Sequence, residues 1–254
     1  MSKNIIFITA VKVPGQEHRS NTYDLGINSF KHWADKYNCE VFVLDQLLFP
    51  NDQMKINFHR YYCFDLLDES NIDYDQVLIT DADAIIHPDC PNFFELTDNK
   101  YTVTRCDGSF DWICRSKENY EHFFNNGNST YNLWDYFNAG FQVVNKQHKD
   151  IFKKFTQFYW DNVDLVKHIQ QNFGVGTDQA LLNYFIRTQD VELKYLPYRY
   201  CMADLFLKNL LADDLFFINI PGIYQFNAIP NNKDANLTHK FMDSTYKHLY
   251  NGKK

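Results

Sequence analysis

Residues Val77 to Asp89 read VLITDADAIIHPD, a short apolar run that ends in two carboxylates one residue apart. Val77, Leu78 and Ile79 have the length and β-branched character of a buried strand, and Pro88-Asp89 is a turn signal. Asp81 and Asp83 are therefore expected at a strand's C-terminal end. In extended chain, residues i and i+2 project to one side, so both carboxylates would face a single point. Like charges at that separation repel, and a hard divalent cation, Mn²⁺ or Mg²⁺, suits the pair. A metal with few protein ligands at the carboxyl edge of a sheet completes its shell with water and phosphate oxygens, which points to a nucleoside diphosphate. The competing reading is structural: two aspartates after a strand can solvate a loop, and Asp89 can cap a helical turn before Phe93-Phe94.

The chain has 254 residues, 45% hydrophobic and 22% charged, the profile of a water-soluble globular protein with ample core. Aromatic content is 17%, most of it expected in the core, although exposed aromatic faces also pack against sugar rings and nucleobases. A formal charge of −7 argues against nucleic acid as partner, which needs a basic footprint. The six cysteines show no C-x-x-C spacing and read as reduced thiols. The N-terminal apolar run in MSKNIIFITAV is too short for a signal peptide or a membrane span, so a cytoplasmic location is expected and the sequons at Asn128 and Asn236 are set aside.

Outward from Asp81, the order of elements predicts a parallel sheet. Asn4 to Ala10 reads as a strand, Lys12 to Asn21 as a Gly/Pro-marked loop, Tyr23 to Tyr37 as a helix and Val41 to Leu44 as a second strand. This βαβ unit puts a ligand edge at the strands' carboxyl ends, with Thr9 and Ala10 on it. Phe58 to Leu67 reads as the helix feeding the Asp81 strand. Arg60, near its start, is a candidate phosphate ligand or equally a solvated arginine with a buried stem. Tyr101 to Arg105 is a further strand. Cys106 to Asp135 is expected to be mostly irregular, with at most a short helix near Glu118 to Phe124, and is assigned to the acceptor side. There Trp112 and Trp134 are the aromatics that could meet a sugar, with core packing the alternative.

Two later segments add polar groups. Tyr136 to Asn145, YFNAGFQVVN, reads as a strand in which Ala139 and Gly140 permit close approach and Asn138 offers both donor and acceptor. A long helix is expected from about Gln147 to Trp160, continuing or restarting to Gln171. Gly174 to Phe185, GVGTDQALLNYF, reads as a helix start with Thr177 as N-cap and Asp178 and Gln179 in its first turn.

In combination, Asp81-Ala82-Asp83, then Phe137-Asn138-Ala139-Gly140-Phe141, then Thr177-Asp178-Gln179 with Leu182-Asn183 resembles the GT-A glycosyltransferases, especially glycosyltransferase family 8, across roughly Ile5 to Phe185. More distant galactosyl and mannosyl transferases of that fold, viral ones included, are similar too. The resemblance implies a single α/β domain over 1–254 with a Rossmann-like, mostly parallel sheet flanked by helices. Residues 1–105 would form a nucleotide-binding half and 106–254 an acceptor and donor-sugar half. It implies Mn²⁺ on Asp83 and His239, with Asp81 shared between metal and ribose, and Lys240 assisting the phosphates. The family's C-terminal His-x-x-Gly-x-x-Lys-Pro-Trp element is matched only by Thr238-His239-Lys240-Phe241, without the glycine and the Pro-Trp. Thr9, Ala10, Arg60 and Gly140 would meet the nucleotide or donor, and Asn138, Asp178 and Gln179 would surround the sugar. The implied reaction is transfer of a hexose from a UDP-sugar to a glycan or other hydroxyl acceptor, with retention. His87, of the same parity as Asp83, is the rival metal ligand. Two other classes are weighed: a haloacid-dehalogenase-type phosphatase with Asp81 as nucleophile, and a non-catalytic nucleotide-sugar binding module.

Overall fold

The computed structural model describes residues 3–12, 22–211, 215–230 and 236–251. Most of the expected Lys12–Asn21 loop lies outside them. A six-stranded sheet has the order β2-β1-β3-β6-β5-β7, built from β1 (Lys3–Thr9), β2 (Glu40–Leu44), β3 (Tyr74–Asp81), β5 (Tyr101–Arg105), β6 (Phe137–Asn145) and β7 (Leu193–Leu196). β1 pairs parallel with β2 and β3, and β5 with β7, while β6 runs antiparallel between β3 and β5. Five of the six strands thus share one direction, the mostly parallel α/β sheet expected. A two-stranded antiparallel ribbon joins β4 (Ala84–Ile86) to β8 (Ile223–Gln225).

Alternation along the strands covers both faces. Ile5, Phe7, Val77 and Ile79 join one core with Phe58, Tyr61, Phe152 and Phe155, while Ile6, Ile8 and Leu78 join another with Phe30, Trp33 and Phe93. Helix α1 (Tyr23–Tyr37) has the bounds its apolar spacing predicts. It is pressed against the Asp81 turn: a Cβ on Gly26 would lie 2.3 Å from the Ala82 carbonyl oxygen and 2.6 Å from that of Ala84. Ser29 Oγ accepts from Ile86 N, and Trp33 Nε1 donates to the Cys90 carbonyl. These contacts hold both ends of the turn.

Several expectations need correction. Phe58 to Leu67 is three joined helical pieces, α2 (Ile56–His59), a 3₁₀ turn (Arg60–Tyr62) and α3 (Cys63–Glu69). Cys106 to Asp135 is not mostly irregular: α4 covers Phe110–Asn125. Its buried stripe, Ile113, Ser116, Lys117, Tyr120 and Glu121, has helical spacing but little apolar character, because Lys117 and Glu121 are buried as an ion pair. The left-handed Asn126 and Gly127 end it. After β6 the chain follows the restarting alternative, with α5 (Lys149–Asp161) and α6 (Val163–Phe173) separated at Asn162. Helix α7 spans Asp178–Ile186, and β7, β8 and α8 (Leu237–Tyr246) complete the chain. Among the described residues no helix is long and apolar enough to cross a membrane, and all six cysteines are free thiols.

Candidate active site

A cavity of about 530 Å³ opens at the carboxyl edge of the sheet, within the size range of small-molecule sites. Thr9 at the end of β1, Asp81 at the end of β3 with Ala82 and Asp83 after it, Asn138 to Gly140 on β6, and Thr177 to Gln179 at the start of α7 all line it. Four segments separated in sequence therefore converge. Asp81 is the last residue of β3, but Ala82 and Asp83 form a turn into β4 and are not extended chain. Both carboxylates reach the cavity because that turn is held against Gly26 and because Phe226 N donates to the Asp83 carbonyl.

Arg60 is the centre of the polar network. Its side chain is 5% exposed, and its guanidinium donates to Asp81 Oδ1 at 2.6 Å, to the Ala139 carbonyl and to the Asn57 carbonyl, with Asp178 Oδ2 at 3.5 Å. Burial pulls its pKa down, yet Asp81 and Asp178 outweigh that and hold it above the usual range. Three of its five N–H donors bond within the protein, and in that arrangement Arg60 organises two carboxylates. Asp81 Oδ2 accepts from Gln225 Nε2 at 2.6 Å, and Gln225 Oε1 in turn accepts from Asn138 Nδ2. Gly140 makes room for this pair: a Cβ there would lie 2.6 Å from Asp81 Oδ2 and 2.7 Å from Gln225 Nε2.

Asp178 is 3% exposed and fully engaged, accepting from the Tyr61 hydroxyl at 3.0 Å and the Thr177 hydroxyl at 3.1 Å. Burial, then the Asp178 charge, keeps the Tyr61 hydroxyl protonated well above its usual range. Thr177 occupies the N-cap position without capping, because its hydroxyl turns to Asp178. Gln179 Oε1 accepts from Ala139 N, while its Nε2 lies by Cys106 Sγ at 3.5 Å and toward the Tyr136 hydroxyl. Burial pushes the Cys106 thiol up to about 11, so it stays neutral. Thr9 Oγ1 is buried with no hydrogen-bond partner among the described residues.

Other expected residues lie elsewhere. Ala10 is closed into the sheet edge, its N donating to Leu44 O, and does not line the cavity. His239 and Lys240 are exposed in the first turn of α8 and do not line it either. The His239 N–H donates to Asn236 Oδ1, which fixes the start of α8. His87, the rival, accepts from Asp89 N and is also absent from the lining. Trp112 does line the cavity, its ring packed on Gly176, where a Cβ would meet it at 2.5 Å; Trp134 is 82% exposed. Gln225, Asn227, Asp204 and Asn57 also line the cavity and were missed. A polar residue within the apolar run Ile223-Tyr224-Gln225-Phe226 was the available signal for the first.

Among the described residues four carboxylates line the cavity, Asp81, Asp83, Asp178 and Asp204, against two guanidiniums, Arg60 and Arg115, a formal balance of 2 − 4 = −2. Both guanidiniums already face carboxylates, Arg115 pairing with Asp111. A diphosphate would thus meet no uncommitted cation among the described lining residues. A phosphate-bound Mg²⁺ or Mn²⁺, which needs only one or two carboxylates, fits this donor set through Asp83 with Asp81 beside it. A metal caged by protein alone does not, since among the described residues no three His, Cys, Asp or Glu form a metal-holding group.

No protein-family model matches the chain, and no curated protein matches its sequence. Solved structures do. A glycosyltransferase involved in glycosylation of the major capsid of PBCV-1 is 11% identical, with 97% of this chain and 98% of that one covered at a TM-score of 0.55. The glycosyltransferase GlyE of Streptococcus pneumoniae TIGR4 is 13% identical over 99% of this chain and 64% of that one, TM-score 0.47. Mouse xyloside xylosyltransferase 1 is 12% identical over 90% and 99%, TM-score 0.48. The first superposition spans nearly all of both chains, so this chain has the fold of a glycosyltransferase.

Proposed function

We propose that this chain is a metal-dependent glycosyltransferase that moves a hexose from a UDP-sugar to a hydroxyl of a glycan or other acceptor, with retention of anomeric configuration. The observation that carries the reading is the convergence of Asp81-Ala82-Asp83, Asn138-Ala139-Gly140 and Thr177-Asp178-Gln179 on one cavity, in a chain with a glycosyltransferase fold. In this reading residues 1–105 bind nucleotide, with the unpartnered Thr9 hydroxyl turned to the nucleoside, and residues 106–254 hold the donor sugar and the acceptor. Asp83, supported by Asp81, holds the metal, which when bound supplies positive charge at the departing diphosphate. Arg60 and Gln225 fix Asp81 so that Asp83 projects at a constant place.

The amides fit a retaining reaction. Gln179 is anchored by Ala139 N through Oε1, which leaves Nε2 as a donor toward the sugar, and an amide is no base at neutral pH. Asp178, engaged by Tyr61, Thr177 and Arg60, positions the start of α7 and is poorly placed as a nucleophile. Transfer then proceeds on one face: the acceptor oxygen bonds to the anomeric carbon, the bond to the phosphate oxygen breaks, and that phosphate takes the acceptor's proton. The phosphatase alternative is disfavoured because both Asp81 oxygens already accept hydrogen bonds. The test is NMR of the product's anomeric proton with UDP-glucose or UDP-galactose, Mn²⁺ and hexoside acceptors. An α-linked product is expected; a β-linked one would require a carboxylate base and refute retention.

A further inference from the structure

The cavity lining holds a further carboxylate remote in sequence from Asp81 and Asp83: Asp204, 7% exposed and with a left-handed backbone, φ 56°. Asn227 holds it by a reciprocal clasp: Asp204 N donates to Asn227 Oδ1 at 2.8 Å, and Asn227 Nδ2 donates to Asp204 Oδ1 at 2.9 Å. The other carboxylate oxygen, Oδ2, has no hydrogen-bond partner among the described residues. It lies over Gly108, where a Cβ would be 2.4 Å away. The nearby Lys208 acts on Asp204 through its charge alone, its Nζ donating to Asp107, the Tyr198 hydroxyl and the Ala203 carbonyl.

A buried carboxylate without an ion pair costs stability, and such groups concentrate where ligands complete them. Burial, the dominant influence, holds the Asp204 carboxyl above its usual range. The surroundings suit a sugar and not a phosphate. A second anion would be repelled by Asp204, whereas a neutral polyol brings the hydroxyl donors that Oδ2 lacks. Leu207, also on the lining, is 55% exposed and offers an apolar edge to a ring's C–H face at the solvent side.

Resting on the transferase reading, we propose that Asp204, clasped by Asn227 over Gly108, is the acceptor-binding residue of this cavity, accepting a hydrogen bond from a hydroxyl of the incoming carbohydrate. Gly108 lacks the Cβ that would collide with Oδ2, which lets the carboxylate take up this position.

The test compares wild type with Asp204→Asn and Gly108→Ala, each checked for a wild-type melting profile. UDP release from UDP-glucose, UDP-galactose and UDP-N-acetylglucosamine with Mn²⁺ is followed as p-nitrophenyl hexosides are titrated, and UDP affinity is measured separately. In both variants the hexoside KM should rise by roughly ten-fold or more, with the UDP Kd moving less than about two-fold. A folded Asp204→Asn protein with wild-type hexoside KM overturns the acceptor role and leaves the transferase reading standing. Parallel loss of UDP affinity makes Asp204 a structural residue and also overturns it. A wild-type protein that releases no UDP from any of the three donors overturns both readings together.

Discussion

Replacing Arg60 by methionine should unfold the site before it weakens any single ligand contact. The aliphatic replacement keeps much of the stem's volume but removes the cation between Asp81 and Asp178, whose side chains are 21% and 4% exposed. Breaking a buried pair by removing one partner costs about 3–5 kcal/mol, because the remaining charge stays uncompensated. The bonds to the Asn57 and Ala139 carbonyls add to the loss. Against a total stability of about 5–15 kcal/mol this is severe, and for a chain of this size a loss of about 4 kcal/mol lowers Tm by roughly 10 °C. Chemical denaturation of Arg60→Met, Asp178→Asn and the double variant gives the coupling directly. The second change removes the stranded charge, so the double variant should recover about 1–3 kcal/mol relative to additivity. A single-variant loss under about 1 kcal/mol, or strict additivity, would refute the role of Arg60 as the cation of this network.

Three further outcomes follow from particular contacts. Gly140→Ala pushes a methyl into Asp81 Oδ2 and Gln225 Nε2, so it should destabilise by about 1–3 kcal/mol and weaken UDP binding; a variant indistinguishable from wild type in denaturation counts against that close approach. His239→Ala, on the exposed face of α8, should leave the Kd for UDP with Mn²⁺ within about two-fold of wild type, and a larger loss would restore His239 to the metal shell. Burial lowers the His148 pKa to about 4, and the unfolded imidazole takes up its proton first as pH falls. The associated stability is complete above about 6.5 and is lost between there and about 4. His148→Gln should flatten the fall in unfolding free energy across that window, though not abolish it, because burial lowers His59 as well; an unchanged slope would contradict the assignment.

What the sequence made legible was the periodic part of the fold. Tyr23 to Tyr37 shows an unbroken helical stripe, and β1 and β3 are short β-branched runs, so their order already implied a ligand edge at Thr9 and Asp81. Helix α4 was hidden because its inner face carries Lys117, Glu121 and Ser116, whose burial depends on partners that only tertiary structure supplies. The candidate site was half legible. Asp81, Asp83, Asn138 and Gln179 were found from motif order, but which hydrogen bonds they make was not, since Arg60 and Gln225 reach Asp81 across 21 and 144 residues. Chain path also hides the surroundings of His239: sequence order carries it past β8, and nothing local indicates that α8 then packs against α1 and β4 with that histidine exposed.

The most direct test of the account is calorimetry of UDP with the wild-type protein in Mn²⁺ and in EDTA, beside Asp83→Asn in Mn²⁺. A cavity whose described lining is formally anionic and whose described guanidiniums face carboxylates should bind the diphosphate only through a metal at Asp83. Binding in Mn²⁺ that is lost in EDTA and sharply weakened in Asp83→Asn is the result predicted. Equal UDP affinity with and without metal, or wild-type affinity in Asp83→Asn, would contradict it.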